Sequence, residues 1–333
     1  MLERSIRVLS LAGSTEEYAR SVAESLVQAQ ESGHTSHGVM RLIEYVGFTK
    51  KGEVIPDAKP EVTSDRGAVI RIDGKWGWGQ IACKLAVDLV AEKALDFGIG
   101  AVAIDSCNHI GRLGEYVELL AKKSLVSIML CNTGPCVAAH GGKSRLFGTN
   151  PFAAGIPSSD GDIVIDFATA GTAEGKLRVA RSHGREVPLG LVITKDGKPT
   201  QDPGEFYQGG ALLPFGGHKG YCLNLLVDLL GGALSGIHPA MNEGYDHGNG
   251  TLLIAMNPDF FVGLNNFASD ISEAKRHIKN APAIEVKSPV LLPGEMEEIA
   301  RLRNRDSIEI PQNIWSEILQ LEMNLANGEQ SHD

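Results

Sequence analysis

Ile99-Gly100-Ala101-Val102-Ala103-Ile104-Asp105-Ser106-Cys107-Asn108-His109-Ile110-Gly111-Arg112-Leu113-Gly114-Glu115-Tyr116 is the stretch from which the rest of this chain is read. Its first six residues are apolar, partly β-branched and preceded by Gly98, the pattern of a buried strand. From Tyr116-Val117 through Leu119-Leu120-Ala121 the apolar spacing turns helical and closes on Lys122-Lys123, cations suited to the negative end of a helix dipole. His109 therefore falls in a strand-to-helix turn. Open α/β sheets hold ligands beyond the carboxyl ends of their strands, where helix N-termini present unpaired N–H groups. An imidazole there is placed for proton transfer, and Gly111 and Gly114 leave the backbone open to a ligand. Taken alone, the same histidine could cap the helix or hold a neighbouring loop.

Toward the N-terminus, Ser14-Thr15-Glu16-Glu17 has the form of a capping box, Ser14 with Glu17. It opens a helix whose apolar face is Ala19, Val22, Ala23, Leu26 and Ala29 and whose stop is Gly33. Beyond lies Ser36-His37-Gly38-Val39-Met40-Arg41, a hydroxyl, an imidazole, a flexible point and a guanidinium in one short run. A guanidinium captures a carboxylate bidentately, and His37 beside it can exchange a proton. The plainer alternative makes Ser36 a helix cap, His37 a surface residue and Arg41 half of an ion pair. Residues 50–66 read as a loop and 68–73 as a strand. Gly77-Trp78-Gly79-Gln80-Ile81-Ala82 matches the dinucleotide fingerprint G-x-G-x-x-A in form. Trp76 and Trp78 crowd that turn, however, and no acid closes a following strand about 20 residues on, so a packed glycine-rich turn is the better reading.

Toward the C-terminus, strands are expected at Val126–Cys131, 163–169, 189–194 and Thr251–Met256, with a turn at Gly148-Thr149-Asn150-Pro151. Asp166 near the end of its strand can bind ribose hydroxyls, orient an imidazole or cap a helix. Lys176, Arg178 and Arg181 share one segment, suited equally to phosphate and to a solvated helix face. Gly216-Gly217-His218-Lys219 precedes an apolar helix over 221–230, a candidate anion site without a Walker pattern. Residues 291–297 read as an extended segment entering a charged helix, with a second helix over 314–325 and a loose tail after it.

The composition, 333 residues with 43% hydrophobic and 22% charged, suffices for one large core or two smaller ones. A formal charge of −10 with scattered basic residues argues against a nucleic-acid partner. The five cysteines include no C-x-x-C pair, so reduced thiols and no metal are expected. No run approaches the roughly 20 apolar residues of a membrane span, and 8–12 is too short for a signal-peptide core, so a cytoplasmic protein without a membrane partner is expected.

Ser36-His37-Gly38-Val39-x-Arg41, Asn108-His109-Ile110-Gly111, Gly148-Thr149-Asn150-Pro151, Asp166-Phe167-Ala168-Thr169, His218-Lys219-Gly220-Tyr221 and Leu292-Pro293-Gly294-Glu295 occur in this order. Together they resemble the malate/L-lactate dehydrogenase type 2 family over nearly the whole chain. Phe147, Phe152, Arg112 and the Lys176-x-Arg178-Val179-Ala180 run are similar to its hydroxycarboxylate dehydrogenase B branch. The resemblance implies an NAD- or NADP-dependent oxidoreductase that moves hydride reversibly between nicotinamide and a small 2-hydroxy or 2-oxo acid. It implies a homodimer and a non-Rossmann α/β fold: a three-layer α/β/α domain with a mixed sheet, of the L-sulfolactate dehydrogenase type. Residues 61–261 would form this cofactor-binding domain. Residues 1–60 with 262–333 would form a helical region for dimerisation and substrate binding.

The resemblance also assigns roles. Proton transfer falls on His109 first and His37 second, and substrate binding on Ser36 and Arg41. Cofactor contacts fall on His37, Gly111, Arg112, Leu113, Val164, Ile165, Asp166, Phe167, Ala168, His218, Lys219, Asn249, Gly294, Glu295, Met296 and Glu297. Relatives that reduce cyclic imino acids, piperideine- and pyrroline-2-carboxylate, supply an alternative substrate class. A dinucleotide-binding homologue without catalysis is the third possibility, and the choice of NAD or NADP stays open.

Overall fold

The apolar run at 99–104 becomes an interior strand of a mixed sheet. The computed structural model describes residues 1–285 and 289–328. Its N-terminal third comprises α1 (Leu2–Leu11), α2 (Glu16–Glu31), α3 (Arg41–Lys50), β1 (Glu61–Arg66), β2 (Val69–Asp73), α4 (Gly79–Phe97) and β3 (Ile99–Asp105). Next come α5 (Leu113–Ala121), β4 (Val126–Cys131), β5 (Val137–Ala138), β6 (Arg145–Phe147), β7 (Phe152–Ile156), β8 (Ile163–Phe167), α6 (Glu174–Ser182), β9 (Val192–Ile193) and β10 (Pro199–Thr200). The chain closes with α7 (Gly204–Tyr207), β11 (Ala211–Leu212), α8 (His218–Asp228), β12 (Thr251–Met256), α9 (Leu264–Lys279), α10 (Glu295–Arg303) and α11 (Gln312–Ala326).

The main sheet has the order β1-β2-β3-β12-β4-β7-β8, with β2 and β3 parallel and the other neighbours antiparallel. The late strand β12 is inserted between β3 and β4, pairing Leu253 with Val102 on one side and Met129 on the other. Alternation then sorts the side chains onto two faces. Val102, Ile104, Met129 and Leu253 pack with Ala82, Ala86, Val90 and Ala94 of α4 and with Tyr116, Val117 and Leu120 of α5. Ala103, Leu130 and Leu252 pack with Leu223 and Val227 of α8. Helix, mixed sheet and helix make the three-layer, non-Rossmann α/β/α arrangement that the resemblance implies. A second sheet, β10-β9-β11-β5-β6, shares a core with Leu177 of α6 and Phe206 of α7.

The two chain ends meet in one helical cluster. Ile6 and Leu9 of α1, Val22 and Leu26 of α2, Leu42, Tyr45 and Val46 of α3 and Ile318 of α11 bury one another, with Trp78 completing the cluster. The sequence reading places no helix at α1, whose apolar residues form only a short stretch, or at α9, which is amphipathic but mostly exposed.

Several local expectations need correction. Thr15, not Ser14, caps α2, accepting from Tyr18 N–H at 3.2 Å, while the Ser14 hydroxyl accepts from Trp78 Nε1 at 2.8 Å. The loop expected over 50–66 ends early because β1 forms at Glu61–Arg66 by pairing with β2. The strand at 163–169 stops at Phe167 and forms the sheet edge, so it is half-buried rather than buried. The strand at 189–194 shrinks to β9, and α8 begins three residues sooner than expected, at His218. The loose tail expected at the C-terminus lies outside the described residues. Among the described residues no helix is long and apolar enough to cross a membrane.

Candidate active site

The turn after β3 is held from both sides. Gly74 N–H donates to Asp105 O and Trp76 N–H to Ser106 O, each at 2.8 Å, and the Asn108 amide donates to Trp76 O at 2.9 Å and Glu53 O at 3.0 Å. Behind the turn stands the first residue of α4. A Cβ on Gly79 would lie 2.4 Å from Asn108 O and 2.6 Å from His109 O. The second glycine of the apparent fingerprint thus lets a helix press against the backbone that carries His109.

His109 is anchored by a buried relay. Its Nδ1 lies 2.7 Å from the Tyr45 hydroxyl and accepts from Gly111 N–H at 3.3 Å, and the Tyr45 oxygen accepts from Gln80 Nε2 at 2.7 Å. Because Gln80 donates to the phenol, the phenol proton goes to Nδ1, and the imidazole carries its own proton on Nε2. Tyr45 and Gln80 are both fully buried. Sequence reasoning missed these two. The available signal was Tyr45 one helical turn beyond Arg41, and a buried amide, Gln80, inside the supposed fingerprint.

His37 ends a single 3₁₀ turn, Thr35–His37, and its ring stacks on that of His109 with centroids 5.5 Å apart and planes at 23°. The Ser36 hydroxyl lies 3.1 Å from His37 Nδ1. Arg41, first residue of α3, donates through Nε to Ser36 O at 2.7 Å and pairs with Glu44. The ion pair anticipated by the plainer reading therefore exists, and Arg41 nonetheless faces a cavity of about 740 Å³ together with Ser36, His37, His109, Gly111, Leu113 and Asn249. Burial lowers the pKa of both imidazoles, and the Arg41 guanidinium lowers it further. His37 is brought to about 3, and His109 well below its ordinary value with repulsion from His37 added. Both rings are neutral at pH 7 in the unliganded protein.

A second group of the expected residues gathers next to the N-terminus of α5. Asp166 accepts from Gly114 N–H at 2.7 Å, and burial raises its pKa against the opposing pull of Arg112. Arg112 pairs with Glu118 at 2.8 Å, leaving its buried Nε and Nη1 without a partner among the described residues. Val164 N–H donates to Pro293 O at 3.2 Å, Gly294 abuts Val164, and Glu297 pairs with His34 Nε2 at 3.0 Å. Glu295 is instead taken up by Lys279 at 2.7 Å, and Met296 is exposed.

Other expected residues lie outside both groups. Ile165 pairs with Ala154 in the edge ladder, and Ala168 follows it half-buried. Phe167 meets Phe215 edge-on at 5.6 Å. His218 and Lys219 are exposed at the start of α8, with the His218 ring 6.1 Å from that of His140. None of Ile165, Phe167, Ala168, His218 and Lys219 lines the cavity.

Comparison with known proteins gives a consistent set of relatives. A family model described as malate/L-lactate dehydrogenase matches residues 1–319. L-sulfolactate dehydrogenase of Methanocaldococcus jannaschii is 36% identical over 321 residues, covering 95% of this chain and 93% of that protein. A Delta(1)-pyrroline-2-carboxylate/Delta(1)-piperideine-2-carboxylate reductase of Pseudomonas syringae pv. tomato is 35% identical over 309 residues, covering 90% and 87%. The solved structure of the M. jannaschii sulfolactate dehydrogenase superposes with a TM-score of 0.89 at 35% identity, covering 97% of this chain and 95% of that one.

Proposed function

Because the chain belongs to the malate/L-lactate dehydrogenase family, a family of oxidoreductases, we propose that it interconverts small 2-hydroxy and 2-oxo acids by reversible hydride transfer with NAD or NADP. The observation that carries this reading is the stacked His37–His109 pair beside Arg41 on one cavity wall.

The site fits the cofactor as well as the acid. A cavity of about 740 Å³ is much larger than a three- or four-carbon acid requires. Gly111, at φ +77° on the cavity wall, where a Cβ would meet only the Gln80 side chain at 3.6 Å, allows close approach to the backbone. The unpartnered nitrogens of Arg112 are donors held ready in the neighbouring buried group. We assign dinucleotide contacts to His37, Gly111, Arg112, Leu113, Asp166, Asn249 and Glu297, and keep Val164, Ile165, Phe167, Ala168, His218, Lys219, Gly294, Glu295 and Met296 as further candidates. When bound, the nicotinamide supplies or accepts the hydride.

The chain's own residues do the remaining work. Arg41 holds the substrate carboxylate and so orients its carbonyl. His109, once it carries protons on both Nδ1 and Nε2 in the substrate complex, gives the Nε2 proton to the carbonyl oxygen during reduction. It ends as the neutral ring with Nδ1–H donating to the Tyr45 oxygen, and takes the proton back on Nε2 during oxidation. A carboxylate on Arg41 offsets the guanidinium's share of the depression and raises the pKa of both imidazoles, so that His109 takes up its second proton more readily. His37, hydrogen-bonded to Ser36, is the second candidate for the proton.

The reductase relatives favour a second reading in which the same guanidinium holds a cyclic imino acid. We further propose a cytoplasmic homodimer. The five free cysteines suit a reducing compartment, and exposed Phe260, Phe261 and Val262 suit burial against a second copy. Light scattering after gel filtration tests the dimer. The activity is tested by following NADH and NADPH oxidation with 2-oxo acids and cyclic imines, in wild type and His109→Asn. Turnover that falls by about 10²- to 10⁴-fold in the variant is expected. A fully active variant would remove His109 from the mechanism, and a silent wild type would remove the reading.

A further inference from the structure

Resting on the dehydrogenase reading of this cavity, we propose that its substrate carries one carboxylate and no second anionic group, the rest of the molecule being neutral or cationic. Among the described residues that line the cavity, Arg41 is the sole lysine or arginine, and it is set against four carboxylates, those of Glu44, Glu53, Glu174 and Asp246. Arg41 is itself partly spent, on Ser36 O at 2.7 Å and on Glu44. Glu174 is partly compensated by Arg178 at 3.0 Å and by the Tyr207 hydroxyl at 2.6 Å, whereas Glu53 and Asp246 line the cavity as exposed residues. Burial keeps the two stacked imidazoles neutral at pH 7, so neither supplies a further positive charge before substrate binds.

A monocarboxylate therefore spends the cavity's one permanent cation, and its tail then lies among surplus negative charge. A second carboxylate or a sulfonate on that tail meets repulsion that solvent weakens but does not abolish. A protonated imine nitrogen or a plain alkyl group meets none. The charge of the wall thus selects within the 2-oxo acid class.

The test is a series matched at the reacting carbonyl: 2-oxobutyrate, oxaloacetate and 3-sulfopyruvate, compared by kcat/KM at fixed ionic strength with the cofactor present. The expected result favours 2-oxobutyrate by about 10-fold or more, with the gap narrowing as salt is added. Glu53→Gln and Asp246→Asn should each raise the oxaloacetate to 2-oxobutyrate ratio by about threefold or more. Either dianion matching 2-oxobutyrate, or a ratio unmoved in both variants, would overturn the proposal. Thermal shifts of the cofactor-loaded protein with 2-hydroxybutyrate and malate separate the two levels of inference. Absent hydride transfer with 2-hydroxybutyrate bound ahead of malate would sink the dehydrogenase reading and uphold the charge rule. Efficient turnover of oxaloacetate, with malate bound at least as well, would uphold the reading and sink the charge rule.

Discussion

Replacing Tyr45 with phenylalanine removes one oxygen and breaks two hydrogen bonds of 2.7 Å, one to His109 Nδ1 and one from Gln80 Nε2. Gln80 is fully buried and its Oε1 has no partner among the described residues, so the variant leaves the whole amide orphaned. An unsatisfied buried donor costs about 1–3 kcal/mol, which sets the expected loss of stability. The catalytic effect is separate. Protonating Nδ1 in the wild type would turn the phenol proton away from its acceptor, so the relay holds the ring neutral with its proton on Nε2. Without the hydroxyl, the neutral form loses an accepted hydrogen bond and the pKa of His109 rises. A loss of about 1.4–2.8 kcal/mol in transition-state positioning corresponds to a 10- to 100-fold lower kcat. The assay is kcat and kcat/KM against pH for wild type, Tyr45→Phe and the double variant Tyr45→Phe/Gln80→Leu. The limb that reports His109, alkaline for reduction and acid for oxidation, should move to higher pH in both variants, and the double variant should regain stability without regaining kcat, because the orphaned amide is gone but the ring is still unanchored. A Tyr45→Phe enzyme with wild-type kcat and an unmoved pH profile would refute the relay.

Other consequences follow from the same geometry. Unfolded histidine takes up its proton near pH 6.5, but folded His37 resists until about 3; between those values the unfolded chain binds more protons. His37 therefore contributes stability fully above about pH 6.5 and loses it as the pH falls toward 3, at up to about 1.4 kcal/mol per unit. His109 is depressed in the same direction. Urea midpoints across this window should fall less steeply with acid in His37→Asn, and equal slopes would contradict the assignment. Gly79→Ala pushes a Cβ to 2.4 Å from a backbone carbonyl of the His109 turn, which should cost about 1–3 kcal/mol in denaturant melts and lower kcat with it. A neutral result would show that α4 does not support the turn. Glu118→Gln uncovers Arg112, which is buried, and Arg301, which lies 3.2 Å from the same carboxylate. A loss of about 3–5 kcal/mol is expected, and a melt within about 0.5 kcal/mol of wild type would mean the cluster is solvated.

The parts of this fold legible in the sequence were those with local signals. Ile99–Ile104 announced itself by an unbroken apolar run, and His109 by its place between that run and a helical pattern. The weakness of Gly77-Trp78-Gly79 as a nucleotide loop was equally legible, because two tryptophans crowd the turn and no acid closes a following strand at the expected distance. What the sequence withheld depends on partners far along the chain. Nothing local in Thr251–Met256 shows that it slots between β3 and β4, since pairing is set by tertiary competition rather than by period. The edge position of Ile163–Phe167 was hidden for the same reason, its apolar residues covering only part of each face. Tyr45 and Gln80 carry residue types common in helices, and only their meeting at His109 gives them a role. The resemblance supplies the residues of the site; the fold divides them among the cavity, a buried ionic group beside it, the edge strand β8 and the exposed start of α8.

The most direct test of the account is the destination of the hydride. The protein is incubated with NADH or NADPH deuterated at the transferable position and with 2-oxobutyrate, and the product is examined by mass spectrometry and NMR. The account predicts one deuterium on C2 of 2-hydroxybutyrate, formed by wild type and nearly lost in His109→Asn. Consumption of reduced cofactor that leaves no deuterium at C2, or undiminished labelling in the variant, would contradict it.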